Sequence, residues 1–136
     1  RLRSFLGEVA PLAEHVYFVA QPPVIKDGEN VNLRGLVSWL MNQDGELPRL
    51  AVDGSAPLRR KALEEAESAT AAYPNLHVLR ADLPFYAKDG SVRYASGRSF
   101  LYADDDHLSD VGTEEVRGLF EKAIDTACMV SHGDHP

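Results

Sequence analysis

The chain predicts an α/β fold: a three-layer α/β/α sandwich around a mainly parallel sheet, of which this sequence holds the C-terminal portion. Amphipathic stretches of helical period alternate with short apolar runs along the 136 residues. The runs His15 to Ala20 and Leu76 to Ala81 read as buried strands. Each ends at a proline-containing loop, Gln21-Pro22-Pro23 and Asp82-Leu83-Pro84, where proline forbids further pairing. Two such strands alone leave unpaired edges and half-covered helix faces, which isolated domains avoid. The rest of the sheet is therefore expected from chain outside this sequence.

The elements follow in order. Leu2, Phe5, Leu6, Val9 and Leu12 or Ala13 recur at helical spacing, giving an opening amphipathic helix that Pro11 shortens. After the first strand, Asn30 caps a helix whose Leu33, Leu36, Val37, Leu40 and Met41 share one face, with Trp39 beside that stripe. Asn42 to Pro57 is turn-rich. Ser55 and Pro57 start a helix over 58–73 that Pro74 closes, with Leu63, Ala66, Ala69, Thr70 and Tyr73 as its core face. Lys88-Asp89-Gly90-Ser91 between Phe85-Tyr86 and Val92-x-Tyr94 predicts a short hairpin. Phe100 to Tyr102 is a brief strand. The last helix spans 110–127 on the stripe Val116, Leu119, Phe120, Ala123, Ile124 and Ala127, with Ser109 as N-cap. Residues 1–127 form the domain portion and 128–136 a loose tail.

Composition excludes several functions. An apolar content of 44% suits a globular core, so disorder is not expected. A formal net charge of -7 and a pI near 5.1, with no basic block beyond Arg59-Arg60-Lys61, argue against nucleic acid and anionic membrane surfaces as partners. No apolar run is long enough to span a bilayer and no signal segment opens the chain, so any membrane tether lies upstream. Cys128 is the single cysteine, which rules out an internal disulfide and a cysteine-rich zinc site.

The chemistry-bearing stretch is Phe100-Leu101-Tyr102-Ala103-Asp104-Asp105-Asp106-His107-Leu108-Ser109-Asp110-Val111-Gly112. An aspartate three residues before a histidine can fold back and accept the imidazole Nδ1 proton. That fixes the tautomer and leaves Nε2 free to act on a nucleophile. Asp104 and His107 are the candidate catalytic pair; Asp105 and Asp106 face solvent or cap the turn. Ser109, at a helix start, reads as a cap rather than a nucleophile. The bland alternative is a surface histidine in an acidic helix-entry loop. A divalent cation among the three aspartates, His107 and Asp110 is the poorer reading, because consecutive carboxylates diverge and the alternation of a calcium loop is absent. His132, Asp134 and His135 are bystanders in the tail, and His15 and His77 read as structural.

Asp104-x-x-His107-Leu108-Ser109-x-x-Gly112, after a short apolar strand and near the C-terminus, resembles the last conserved block of SGNH (GDSL-type) esterases and acyltransferases. It is most similar to the SGNH domain that follows the membrane part of acyltransferase-3 family O-acyltransferases, where a Tyr-x-Asp-Asp-x-His-Leu-Ser run is typical. His15 to Pro23 and Leu76 to Asp82 look like strands of such domains, so the resemblance covers residues 1–127. It implies a flavodoxin-like SGNH sandwich, a Ser-His-Asp site, an acyl donor and a sugar-hydroxyl acceptor, and no metal or organic cofactor. It also implies an upstream membrane domain and a position on the extracytoplasmic side of a bacterial membrane, with cell-surface polysaccharide as the acceptor. The family's Gly-Asp-Ser nucleophile block and Gly-x-Asn block are absent; Asp53-Gly54-Ser55 and Asp89-Gly90-Ser91 have another order and read as turns. Because the chain begins at Arg1 within a helix, the expectation is the C-terminal half of a longer catalytic domain with its serine upstream. The alternatives are a free-standing SGNH hydrolase, or a non-catalytic domain kept for binding or structure.

Overall fold

The computed structural model describes residues 1–26 and 49–131. The helix anticipated over Leu33 to Met41, with Trp39, lies outside them. The chain divides into two compact units, one of residues 1–21, 57–81 and 116–136, the other of residues 22–56 and 82–115.

The first unit is an α/β layer. Helix α1 (Leu2–Val9) passes into a 3-10 turn (Ala10–Leu12) where Pro11 interrupts the α-helical bonding. Strand β1 (Val16–Val19) pairs in parallel with β2 (Leu76–Leu79), in the register Val16 to Leu76 through Val19 to Leu79. Both expected strands are present, each a little shorter than the apolar run that predicts it. Helix α2 (Ala56–Thr70) lies between them in sequence and ends where the Ala72 and Tyr73 amides both donate to the Ala69 carbonyl, just before Pro74. Leu6, Ala66, Ala69 and Leu76 form the buried centre, with Leu2, Val16, Phe18, Tyr73 and Val78 packed against it. Burial of each such leucine is worth about 1.5–3 kcal/mol. The Asn75 side-chain Nδ2 donates to the carbonyls of Ala10 (2.7 Å) and Ala13 (2.8 Å), which ties the end of the first helical segment to the start of β2.

Two features of this unit depart from the one-face expectation. Phe5, Leu12 and Ile124 fall on the predicted apolar stripes, yet they are exposed, as is Val19 of β1. His15 and His77 meet across the strands, with Nδ1 of one 3.0 Å from Nε2 of the other, and Tyr17 stacks on the His77 ring. A single proton between two nitrogens requires one ring to be the acceptor. The His15 Nε2 is buried and has no hydrogen-bond partner among the described residues.

The second unit is made of turns and short antiparallel pairings. Single bridges join Ile25 with Val52, Leu50 with Val92 and Tyr86 with Val92. The predicted turn at 88–91 is present, with Gly90 at φ +82° and the Ala87 amide bonded to the Ser91 carbonyl at 2.9 Å. A second hairpin was not anticipated: β3 (Ala95–Ser96) pairs antiparallel with β4 (Ser99–Phe100) around Gly97 at φ +57°. Glycine takes this left-handed conformation without the Cβ clash that penalises other residues, which makes the two-residue loop available. The strand expected at Phe100 to Tyr102 therefore belongs to a hairpin and not to the parallel sheet. Arg93 laces the unit together, donating to the Pro84 carbonyl (2.9 Å), the Ser96 hydroxyl (3.1 Å) and Glu115 (3.1 Å). Helix α3 (Asp110–Ser131) runs past the predicted end at Ala127, so residues 128–131 are helical rather than part of a loose tail. Along it Val116 is buried and Leu119, Phe120, Ala123 and Ala127 are half-buried.

Candidate active site

The Asp104–His107 loop sits between β4 and α3, and both of its ends are fastened. Leu101 and Tyr102, fully or almost fully buried, lead into it. Tyr102 bridges to Leu108, the Ala103 amide donates to the His107 carbonyl at 2.8 Å, and the Ser109 amide donates to the Leu101 carbonyl at 3.0 Å. Five residues, 103 to 107, thus form a closed loop on an antiparallel stem. Ser109 does what its position before a helix predicts: its hydroxyl donates to the Phe100 carbonyl (2.6 Å) and accepts the Gly112 amide (3.1 Å). Both capacities are spent on backbone, so Ser109 is not available as a nucleophile. Gly112 is required by space, since a Cβ there would overlap the Leu101 carbonyl.

Within the loop, Asp104 is the organising residue. Its Oδ1 accepts the amides of Asp106 (3.1 Å) and His107 (2.8 Å), and its two oxygens lie 3.1 and 3.0 Å from His107 Nδ1. The backbone bonds make an Asx turn, the local motif that an aspartate forms with amides two and three residues ahead. They also account for its acidity: bonds from the His107 and Asp106 amides, and then the His107 ring, pull the Asp104 carboxyl from 3.8 down to about 2. The carboxylate stays ionised throughout the range in which an imidazole titrates.

His107 responds in the opposite sense. Its bond to Asp104, and then the charges of Asp104, Asp106 and Asp105, raise its pKa above 6.5. The Asp106 Oδ1 comes within 2.8 Å of the same Nδ1, closer than either Asp104 oxygen. Only the Asp104 contacts have hydrogen-bond geometry, and Asp104 is also fixed by two backbone bonds, whereas the Asp106 contact is an ion pair. Asp106 faces solvent, as its place in the sequence predicts, and adds a negative charge beside the ring. Nε2 makes no hydrogen bond among the described residues, and the side chain is 75% exposed. With Nδ1 held by a permanent carboxylate, Nε2 is the atom that can take up and release a proton.

The site has two further properties. No serine hydroxyl among the described residues is bonded to His107; those of Ser55 and Ser91 donate to Asp53 and Asp89. Asp104, Asp106 and His107 each bring one potential ligand atom within 4.8 Å of the others, but all three are exposed, and acidic groups gather in this way without an ion. Contacts from distant sequence also reach the loop. The Tyr102 hydroxyl donates to the Pro23 carbonyl at 2.8 Å, and the Ile25 amide donates to the Asp105 carbonyl at 2.9 Å, so the segment after Gln21 borders the loop. An apolar run containing one tyrosine signals burial but not the partner of its hydroxyl.

Among the described residues no helix is long and apolar enough to cross a membrane. No curated protein and no solved structure matches the chain. A family model described as an SGNH domain fused to AT3 domains matches residues 1–122, which contain both strands, the loop and more than half of α3. The chain belongs to that family of SGNH domains, a family of hydrolases and acyltransferases.

Proposed function

We propose that this chain supplies the acid-base half of an SGNH-type O-acyltransferase that moves an acetyl group to a sugar hydroxyl of cell-surface polysaccharide. The observation that carries the reading is the Asp104–His107 pair, with Nδ1 held and Nε2 making no hydrogen bond among the described residues. A serine from outside this sequence attacks the acyl carbonyl while its hydroxyl proton passes to His107 Nε2. The donor's leaving group departs with that proton, and an acyl-enzyme remains. The acceptor hydroxyl then attacks the ester carbonyl, its proton goes to Nε2 and on to the departing serine oxygen, and the acyl group ends on the acceptor. Asp104 stabilises the imidazolium formed in each half-reaction.

The missing serine belongs to an N-terminal half of the same three-layer sandwich. Two features support such a partner: a parallel sheet of two strands, a type that occurs almost only with both faces covered, and the exposed apolar residues Phe5, Leu12 and Val19. The fusion that characterises the family favours an acyltransferase behind a membrane domain over a free-standing hydrolase, and a position on the extracytoplasmic side is part of the proposal. The non-catalytic reading rests on one fact, that no serine hydroxyl among the described residues bonds to His107. His107→Ala in the native protein separates the readings. Acetyl transfer and ester hydrolysis are expected to fall ~10²–10⁴-fold with folding intact, the usual worth of a general acid-base group. Unchanged rates in a folded variant would sink the catalytic proposal.

A further inference from the structure

We infer that Tyr102 is a positioning residue for the Asp104–His107 pair, acting as a clasp that fastens the Pro22–Ile25 segment across the acid-base loop. The inference rests on the reading of that pair as an acid-base unit, and gives a role to Tyr102, which the quoted run contains without a function, and to Ile25, which lies outside that run. The bonds that shape the loop from within run between Ala103, Asp104, Asp106 and His107. They set its curvature and leave open where its outer end is held. That end is reached from distant sequence by the Ile25 amide, which donates to the Asp105 carbonyl at 2.9 Å, one residue from Asp104 and two from His107.

Ile25 can hold Asp105 only if its own segment is held, and the segment is built for that. Ile25 and Pro23 are fully buried side chains. Successive prolines fix their own φ and restrict the residue before each, so Pro22-Pro23 is a stiff piece of backbone with no amide hydrogen to lend. On the other side of Ile25, the Asp53 amide donates to the Val24 carbonyl (2.9 Å) and the Lys26 amide to the Ala51 carbonyl (2.8 Å). The proline end is held by Tyr102, whose hydroxyl donates to the Pro23 carbonyl across 79 residues of sequence. Tyr102 is 3% exposed and meets Phe85 edge to face at 5.6 Å, so its ring is seated independently of the hydroxyl. A buried hydroxyl is kept where its bond is used. Here it links the stem of the loop to the segment that holds the outer end, and both grips bear on residues 102–105 of one loop.

The test reads proton equilibrium rather than turnover, so its failure is distinct from failure of the proposed reaction. The His107 ring is titrated by NMR in the native protein that carries this sequence, unmodified and as Tyr102→Phe and Tyr17→Phe, its signal assigned by its loss in His107→Ala. Tyr17 provides the comparison because its hydroxyl also donates to a backbone carbonyl, that of Ala123 at 3.0 Å, in the other unit. The carboxylates that face His107 are Asp104, Asp105 and Asp106, and all three are retained in each variant. The expected result is that the His107 midpoint falls toward the ordinary imidazole value in Tyr102→Phe and stays in place in Tyr17→Phe. An unmoved midpoint in Tyr102→Phe, or an equal fall in Tyr17→Phe, overturns the inference. If Tyr102→Phe does not fold, hydrogen exchange of the unmodified protein decides: an Ile25 amide as protected as that of Ala103 supports the clasp, and one exchanging at the rate of an open chain overturns it.

Discussion

At Asp89 and again at Asp104, a carboxylate oxygen accepts the amide of the residue two places ahead, at 3.1 Å in each case. In the first turn a side chain completes the motif, the Ser91 hydroxyl donating to the same oxygen at 2.6 Å. In the second, the amide and ring of His107 do so. Both aspartates are made more acidic, Asp89 chiefly through the Ser91 hydroxyl and Asp104 chiefly through backbone bonds. The Asx turn by itself therefore yields a firmly ionised carboxylate and nothing more. What differs is the third group: a serine leaves a closed turn on the surface, whereas a histidine puts a titratable ring on the same frame, the pair to which the proposed function gives proton transfer. Position adds to chemistry, because the Asp104 turn is locked to a helix start by Ser109 and Gly112.

That lock is where the comparison breaks most severely. Gly112→Ala drives a methyl group into the Leu101 carbonyl, and overpacking of this kind typically costs about 1–3 kcal/mol. Urea unfolding should show that loss, while Gly54→Ala, with no atom within 4 Å of the new Cβ, provides the unclashed reference. Ser109→Ala is the next largest, at about 1 kcal/mol for a lost N-cap, since it leaves the Phe100 carbonyl and Gly112 amide unpaired. The matching change in the simpler turn, Ser91→Ala, should cost less in the same unfolding experiment.

The pH dependence of stability sharpens the contrast and is the smallest of these effects, both turns being at the surface. Asp89 and Asp104 have folded pKa values below the ordinary carboxylate value, so each contributes stability above that value which is lost as pH falls, for Asp104 through about 2. His107 has a folded pKa above 6.5, so its contribution is complete below 6.5 and is lost as pH rises through the elevated value. Thermal melts across pH should therefore show an acid limb for both turns and an alkaline limb for the Asp104 loop. Asp104→Asn should weaken the alkaline limb and Asp89→Asn should leave it intact.

What was legible in the sequence follows the range of the interactions. The pairing of Asp104 with His107, the Ser109 cap and the start of α3 depend on neighbours within a few residues, and the spacing reveals them. The parallel strands were legible as apolar runs stopped by proline. The meeting of His15 with His77, the clasp of Tyr102 on Pro23 and the hold of Ile25 on Asp105 join segments far apart in sequence, and no local pattern encodes them. The Gly97 hairpin was missed because Ala95 to Phe100 lacks the alternation that marks a strand pair, its turn resting on one glycine at positive φ. Phe5, Leu12 and Ile124 show the limit of periodicity: a stripe predicts an apolar face and not what covers it.

The central claim, that Asp104 holds His107 as the acid-base group of acyl transfer, is tested most directly by the pH-rate profile of acetyl transfer in the native protein and in Asp104→Asn. The account predicts a wild-type rate that rises with pH to a midpoint above 6.5, as His107 loses its proton and becomes a base. Asp104→Asn should lower both that midpoint and the plateau. Profiles identical in midpoint and plateau would contradict it.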